Sequence, residues 1–322
     1  MLRAALALAA LLLVLQQAWG QAFPSKPITL VVPFPAGGPT DALARLLAEP
    51  AKTSLGQPVV VENASGAGGS IAITRVGRAA PDGHTLIVGN WTSHIGAPAM
   101  YPLQFDVLKD FEPITRLPSS RLWIVGRTGL PAKDAAELIA WLKASPTPAL
   151  LAITGQGGAA HVCGLYFESR TGVHFQVVPY RGAGPLYQDM LAGSVDLTCA
   201  DAGSSLAFLR SGKIRAYAVL GASRWPAAPE VPTLDEVGVP GLDLSLWTGL
   251  WAPKGTPKEV VAKLNSAFVA AMGDATLRKR SGDLGFEFPS PELQTPEGFA
   301  AFYKAETEKW WPVIKAAGIK AE

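Results

Sequence analysis

Residues 28–47 contain the feature that most constrains the fold, because an apolar run, a glycine-rich turn and an amphipathic helix follow one another directly. The β-branched run at residues 28–32 is typical of a buried parallel strand. The glycines at residues 37–38 form a turn, and Pro39 suits the first position of a helix, where its missing N–H is not needed. Such a turn directs free backbone N–H groups and the positive end of the helix dipole at one point. The segment therefore predicts a site for a small carboxylate.

The same succession recurs along the chain, which predicts an α/β fold whose mostly parallel sheets are flanked by helices. The later elements that we expect are strands at residues 57–63, 84–89, 122–125, 150–154, 175–178, 197–200, 216–220 and 245–251, and helices at 71–79, 131–144, 159–169 and 204–209, with a further helix opened by Pro185 and closed by Gly193. The chain should cross between two lobes near residues 121–125 and return near 220–224. A cleft between two hinged lobes is a common ligand site.

The domain boundaries follow from these crossings. Residues 23–121 and 222–322 are predicted to form lobe 1, and residues 122–221 lobe 2. Residues 90–120 should be irregular because they are rich in proline. Pro50 should end or kink the first helix. Thr256 should cap a helix that runs to about Met272, and a Thr-Pro-Glu sequence at residues 295–297 should open the last helix.

Residues 1–22 resemble a cleaved secretory signal peptide, with Arg3 before an apolar run that is too short to span a bilayer. An uncleaved anchor is the alternative. The whole chain has 28 basic and 26 acidic residues, and this near neutrality argues against nucleic acid or an anionic membrane as the main partner. Its cysteines, Cys163 and Cys199, could form a disulfide in an oxidising compartment or remain two buried thiols.

Several segments of the chain resemble one family in the family's own order. The segment "VVPFPAGGPTDALAR" at residues 31–45 is similar to the opening signature of the Bug family, the substrate-binding proteins of tripartite tricarboxylate transporters. Similar segments lie at residues 59–69, 82–90, 105–115, 177–185, 229–238 and 250–265. The resemblance covers nearly the whole mature chain. It implies a two-lobe periplasmic binding protein of the Venus flytrap, type II topology, with no catalysis and no cofactor.

The resemblance also implies where a ligand binds. It assigns the ligand contacts to the first turn, to the turn around Gly68, to a lobe 2 loop ending in histidine and to two further segments of the cleft. Together with variable side chains that would read the rest of the ligand, the candidate residues are Phe34, Ala36, Gly37, Gly38, Thr40, Asp41, Gly68, Trp91, Ser93, Thr154, Gly155, Gln156, Gly157, Gly158, His161, Arg181 and Asp201. Amides from residues 36–41 and 155–160 would hold one carboxylate from both lobes. Trp91, Thr154 and Gln156 depart from the family pattern, so the resemblance does not predict which ligand this protein binds.

Some of these residues allow two interpretations. Asp41 could bind a water or a ligand amine, or simply stabilise the helix dipole. Arg181 could pair with a second carboxylate or face solvent. His161 could contact the ligand or form a hydrogen bond at a helix terminus. Trp91 could stack on a ligand ring or close the mouth of the cleft.

Three other site classes have little support in the sequence. Gly155 and Gly157 imitate a dinucleotide fingerprint, but no acidic residue ends the next strand. The histidines lack metal-ligand spacing, and no nucleophile elbow occurs. In line with the resemblance, we expect a periplasmic monomer that binds a small organic anion (a di- or tricarboxylate, an amino acid or an aromatic acid), and the resemblance implies that it delivers this anion to membrane subunits of a transporter. A sensor that presents ligand to a signalling system, or an enzyme on the same fold, are the alternatives.

Overall fold

The computed structural model describes residues 23–101, 103–242 and 244–316. The expected signal peptide at residues 1–22 lies outside them. The strands are β1 (Ile28–Val32), β2 (Val59–Asn63), β3 (Thr85–Asn90), β4 (Phe111–Arg127), β5 (Ala149–Ile153), β6 (Phe175–Pro179), β7 (Leu197–Asp201), β8 (Ile214–Val219) and β9 (Ser245–Pro253). The helices are α1 (Pro39–Leu55), α2 (Ser70–Gly77), α3 (Ala97–Met100), α4 (Ala135–Ala144), α5 (Ala159–Thr171), α6 (Ala183–Ala192), α7 (Ala202–Arg210), α8 (Lys258–Met272), α9 (Ala275–Asp283) and α10 (Pro296–Ala316).

The sheet has two sections that share one strand. In the first section the order is β2-β1-β3-β9-β4, with β1 parallel to β2 and β3 as expected. In the second, β4 lies between β8 and β7, which continues to β5 and β6. Residues 111–121 of β4 pair with β9, and residues 122–127 pair with β7 and β8. We call the parts built on these sections lobe 1 and lobe 2.

The prediction that residues 90–120 are irregular was wrong. A π-helical turn (Thr92–Gly96) and α3 follow β3, and β4 begins at Phe111. The register of β4 against β9 shifts between Pro113 and Thr115 and again between Leu117 and Ser120. Proline cannot donate to a ladder, and a bulge accommodates it. The strand therefore passes through a segment whose composition favours a loop.

The predictions that Pro50 ends the first helix and that Thr256 caps α8 were also wrong. Helix α1 continues through Pro50 to Leu55. A proline inside a helix costs about 3 kcal/mol, but Leu47, Ala51 and Leu55 on either side of Pro50 are buried in the lobe 1 core, and this packing holds the last turns. Thr256 does not cap α8, because the N-cap position is Pro257 and its side chain forms no cap.

Other helix ends follow the expected chemistry. The hydroxyl of Thr295 accepts a hydrogen bond from the Gly298 amide at 3.0 Å where α10 begins. Gly193 ends α6 with a left-handed backbone. The predicted helix at residues 131–144 begins later, at Ala135, because the Asp134 carboxylate accepts a hydrogen bond from the Glu137 amide and fixes the N-terminus there. Proline 185 is the third residue of α6 rather than its first.

Strand β1 is buried on both faces, as a parallel strand flanked by helices should be. Ile28, Leu30 and Val32 pack in one apolar cluster with α1 and α8, whereas Val31 on the opposite face packs in another. None of the helices in the described residues is both long and apolar enough to cross a membrane.

Cys163 on α5 and Cys199 on β7 form a disulfide, so the alternative of two free thiols is not what the structure shows. Both residues are buried. The bond ties α5, which begins at the lobe 2 loop, to a strand of the same lobe.

We predict that the double variant Cys163→Ala/Cys199→Ala is less stable by about 3–4 kcal/mol, because the bond closes a loop of 36 residues in the unfolded chain. Urea unfolding measures the difference. As the control, a reducing agent should shift the midpoint of the native protein to that of the variant and leave the variant unchanged. Equal midpoints for the oxidised protein and the variant would contradict the prediction.

Candidate functional site

A cavity of about 470 Å³ lies between the two lobes. The residues that line it come from the β1–α1 turn, the end of β3, the point where β4 passes between lobes, and the N-termini of α5, α6 and α7. They are Phe34, Pro35, Ala36, Gly37, Gly38, Pro39, Thr40, Asn90, Thr92, Leu122, Thr154, Ala159, Ala160, Arg181, Gly182, Ala183, Gly184, Pro185, Leu186, Tyr187, Thr198, Cys199, Ala200, Asp201, Ser204 and Leu246. Several helix N-termini therefore direct their partial positive charge at one space, which favours an anion.

The lobe 1 side of the cavity is formed by the N-terminus of α1. Gly38 is the N-cap residue, with an extended backbone, and Pro39 is the first helical residue, as expected. Within the described part of the chain, the amides of Gly38 and Thr40 donate to no protein acceptor. The Gly37 amide, in contrast, donates to the Asp41 carboxylate at 2.9 Å. The amides of Gly38 and Thr40 are thus open to a ligand, whereas that of Gly37 is already used.

Asp41 holds the turn in place and does not line the cavity. Its side chain is buried and accepts hydrogen bonds from the Gly37 amide, from Arg45 at 3.0 Å and from Asn63 at 3.0 Å. Asn63 also donates to the Phe34 carbonyl, which joins β2 to the turn. Burial raises the pKa of Asp41, but the hydrogen bonds from Arg45, Gly37 and Asn63 lower it, and the net pKa lies below the ordinary 3.8.

The lobe 2 loop contributes fewer amides than the sequence suggested. The Gly157 amide donates to His161 Nδ1 at 2.9 Å, the Gly158 amide to the Gly155 carbonyl at 3.3 Å, and the Ala159 amide to Thr92 Oγ1 at 3.3 Å. Among the described residues, no acceptor takes the Ala160 amide. Thr154, Ala159 and Ala160 line the cavity, whereas residues 155–158 and His161 do not.

His161 and Gly157 have local roles in this loop. Burial lowers the pKa of His161, so the imidazole is neutral and its Nδ1 can accept the Gly157 amide. Gly157 has a positive φ of 63°, and a Cβ there would lie 1.8 Å from Met100 of α3. The loop of lobe 2 is thereby packed closely against lobe 1.

Three candidate residues, Gly68, Trp91 and Ser93, do not line the cavity. A Cβ on Gly68 would lie 2.9 Å from Ala97, so that glycine permits close packing of its turn on α3. Trp91 is fully buried, and its ring meets Trp310 edge-to-face with centroids 5.7 Å apart. Ser93 is also fully buried, and its hydroxyl accepts the Asn90 amide at 3.0 Å.

Sequence reasoning missed Asn90 and Thr92, which do line the cavity. The Asn90 side chain donates to Thr40 Oγ1 at 3.1 Å and so joins β3 to the start of α1. Asn90 ends the parallel strand β3 and Thr92 lies two residues further on, and the carboxyl ends of parallel strands are where ligands of α/β folds bind. Their position at the end of this strand is the feature of the sequence from which their place in the site could have been predicted.

Arg181 and Asp201 lie on the lobe 2 side of the cavity. Arg181 is exposed and directly precedes Gly182, the N-cap residue of α6. Asp201 caps α7, since its Oδ1 accepts the Ser204 amide at 2.7 Å. Burial raises the pKa of Asp201 against the lowering effect of hydrogen bonds from Ser120 and Ser204. The described residues contain no group of three or more His, Cys, Asp or Glu that could hold a metal ion.

We predict that Asp41→Asn lowers stability at pH 7 by about 1 kcal/mol, because charged hydrogen bonds to the turn are lost. Since the folded pKa of Asp41 is depressed, its contribution is present above pH 3.8 and is lost as the pH falls through the folded pKa. Denaturant unfolding at several pH values should show the two proteins converging in acid. Glu49→Gln on the same helix removes only an exposed pair with Lys52 and is the neutral control. A constant difference across pH would contradict the prediction.

Comparisons with known proteins agree with this architecture. The family model of the tripartite tricarboxylate transporter family receptor (TctC) matches residues 43–319. The chain is 38% identical to the periplasmic binding protein BugD, with a TM-score of 0.86 over 93% of this chain and all of that one. It is 39% identical to MatC from Rhodopseudomonas palustris with bound malate, with a TM-score of 0.85 over 91% of this chain and all of MatC.

A third structure, Rpa4515 from R. palustris with adipate, is 33% identical, with a TM-score of 0.87 over 93% of this chain and all of that one. These similarities confirm the expected fold class, an α/β periplasmic binding protein. They also identify the relatives as solute-binding proteins. The chain therefore belongs to the TctC or Bug family, the periplasmic receptors of tripartite tricarboxylate transporters.

Proposed function

We propose that this protein is an extracytoplasmic solute-binding protein that captures a small carboxylate between its lobes and delivers it to the membrane subunits of a tripartite tricarboxylate-type transporter. The observation that carries the proposal is the cavity itself, because open amides of Gly38, Thr40 and Ala160 reach it from both lobes. In this proposal residues 23–121 and 222–322 form lobe 1 and residues 122–221 lobe 2, and residues 1–22 direct export to the periplasm.

Closure of the lobes is proposed to depend on the anion. The Gly38 and Thr40 amides belong to lobe 1 and the Ala160 amide to lobe 2, so one carboxylate can accept from both only when the lobes are together. A ligand that satisfies more donors in the closed state shifts the population toward it. Thr92 Oγ1 and the Ala159 amide, which join at 3.3 Å across the lobes, support the same closed form.

Two relatives support a carboxylate as ligand, because MatC was solved with malate and Rpa4515 with adipate. We infer that Phe34, Ala36, Gly37 and Thr154 shape the same site from positions on the cavity wall. Asp41, Gly68, Trp91, Ser93, Gly155, Gln156, Gly157, Gly158 and His161 do not line it, and we propose that they act by holding its walls.

A sensor and an enzyme remain the rival functions. A sensor would use the same cavity, so capture of a membrane kinase rather than transporter subunits by the ligand-bound protein would favour it. Conversion of a bound acid to a product would establish an enzyme and contradict the proposal that the protein only binds.

We predict that a thermal-shift screen of small carboxylates finds at least one ligand. A ligand present at a hundredfold its dissociation constant should add about 2.7 kcal/mol of apparent stability. Calorimetry should then give one site per chain. A panel of mono-, di- and tricarboxylates, amino acids and aromatic acids that produces no shift would contradict the proposed function.

We predict that Gly38→Leu abolishes binding of that ligand and leaves the fold intact. The backbone of Gly38 is extended at φ −77°, and a Cβ would meet only the Pro35 carbonyl at 3.5 Å, so the side chain fits the fold and obstructs the cavity. Gly282→Leu is the matched control, because a Cβ there meets nothing within 4 Å and the residue does not line the cavity. Calorimetry measures the affinity and circular dichroism the fold; unchanged affinity in Gly38→Leu would exclude the turn from the site.

A further inference from the structure

A second cavity, of about 310 Å³, lies where β4 passes from the lobe 1 section of the sheet to the lobe 2 section. It is bordered by the first part of β4 up to Arg121, by the loop that follows β8 at residues 220–223, and by residues 287–290 after α9. None of the described residues lines both this cavity and the one between the lobes. We call it the crossover cavity.

Arg116 brings a positive charge to the crossover cavity. Its guanidinium carbon lies 4.3 Å from the centre of the Phe302 ring, and one terminal nitrogen donates to Ser119 Oγ at 3.1 Å. Its Nε is buried without a hydrogen-bond partner in the part of the chain that the structure describes. Burial lowers the pKa of Arg116 more than the carboxylates of Glu306 and Glu287 raise it. An anion beside the guanidinium would offset this desolvation.

The other two charged residues that line the crossover cavity neutralise one another. Arg121 Nε donates to both carboxylate oxygens of Glu287 at 3.0 Å. The terminal nitrogens of Arg121 donate to the carbonyl and to the hydroxyl of Ser223. Among the described residues of the cavity wall, the charge in excess is therefore that of Arg116.

The loop after β8 adds open backbone donors. The amides of Gly221, Ala222 and Ser223 donate to no acceptor among the described residues, and all three residues line the crossover cavity. Gly221 has a positive φ of 116°, so the loop takes a backbone conformation that other residues rarely adopt. The amide of Ser290 is open in the same sense and lies on the same wall. Successive free amides in a turn form a concavity that binds anions.

These donors suit a tetrahedral oxyanion better than a carboxylate. They come from three separate segments, namely β4, the loop after β8 and the chain at residue 290. A carboxylate has two oxygen atoms on one side of its carbon, whereas phosphate and sulfate present four oxygen atoms in four directions. Such an ion can therefore accept from the guanidinium and from the amides at the same time.

We propose that the crossover cavity binds an inorganic phosphate or sulfate ion, held by Arg116 and by the amides of Gly221, Ala222 and Ser223. The ion joins the first part of β4 to the loop that leaves β8. This site is separate from the proposed carboxylate site and does not depend on it.

Calorimetry with sodium phosphate and, separately, with sodium sulfate tests the proposal and distinguishes the two ions, with sodium chloride keeping the ionic strength constant. The titrations use Gly38→Leu beside the native protein, because the open amides between the lobes can also accept an anion. At least one of the two ions should bind to Gly38→Leu at one site per chain. Adding Arg116→Gln should weaken that binding by about tenfold or more, as expected for the loss of a charged hydrogen bond.

Ala222→Glu is the second variant, because Ala222 is exposed and its substitution does not disturb the core. A carboxylate at this position takes the place of the anion, so binding should be abolished. Ala275→Glu is the matched control, since Ala275 is equally an exposed alanine and lines neither cavity. It should leave the dissociation constant unchanged, and circular dichroism should show every variant folded.

Crystals soaked in selenate, which replaces sulfate and gives an anomalous signal, should show the ion beside Arg116. The inference is overturned if neither phosphate nor sulfate binds, or if binding is lost in Gly38→Leu. It is overturned equally if binding persists in Ala222→Glu, or if selenate lies only outside the crossover cavity as an adventitious ion only. Each of these results leaves the carboxylate titrations, and with them the proposed function, unaffected.

Discussion

The first amides of an α-helix have no acceptor within the helix, and the candidate site depends on this constraint. Helices α1, α5 and α6 all begin at its walls. The Gly37 and Gly157 amides, which precede the N-cap residues of α1 and α5, donate to Asp41 and His161, whereas the amides of Gly38, Thr40 and Ala160 stay open. The internal hydrogen bonds fix the turns, and the open amides remain for an anion. Neighbouring amides in each turn therefore have different roles, because some hold the turn rigid and others remain open to bind a ligand.

Strand β4 joins the two halves of the site. Its first part belongs to the lobe 1 sheet and its second part to the lobe 2 sheet, so both halves of the site are attached to one continuous strand. Leu122, where the partners of the strand change, itself lines the cavity. The disulfide between Cys163 and Cys199 ties α5 to β7 within lobe 2.

The strands and helices that the sequence predicted correctly are those with a clear pattern in their own residues. β-branched runs of about five residues and glycine-rich turns predicted β1, β5, β6 and β7 with errors of only a residue or so at their ends. The strand predicted at residues 122–125 is part of β4, but the first part of β4 was missed because Pro113 and Pro118 favour a loop locally, whereas the pairing of that part with β9 is made by residues more than a hundred positions away. The end of α1 was wrongly placed at Pro50 for a similar reason, because helix propensity does not report that the residues around Pro50 are buried in the core.

For the site, the sequence by itself determined which turns carry free amides, because glycine, proline and helix periodicity are local properties. It also indicated Arg181 and Asp201, which both line the cavity. Only the tertiary structure decided which candidates reach that space: Trp91, Ser93 and His161 lie beside it in sequence but are turned into packing and hydrogen bonds, while Asn90 and Thr92 border it. The physical reason is that an amide or side chain is available to a ligand only when no other part of the chain binds it, and those partners, such as Asp41 with Asn63, are brought together only when the chain folds.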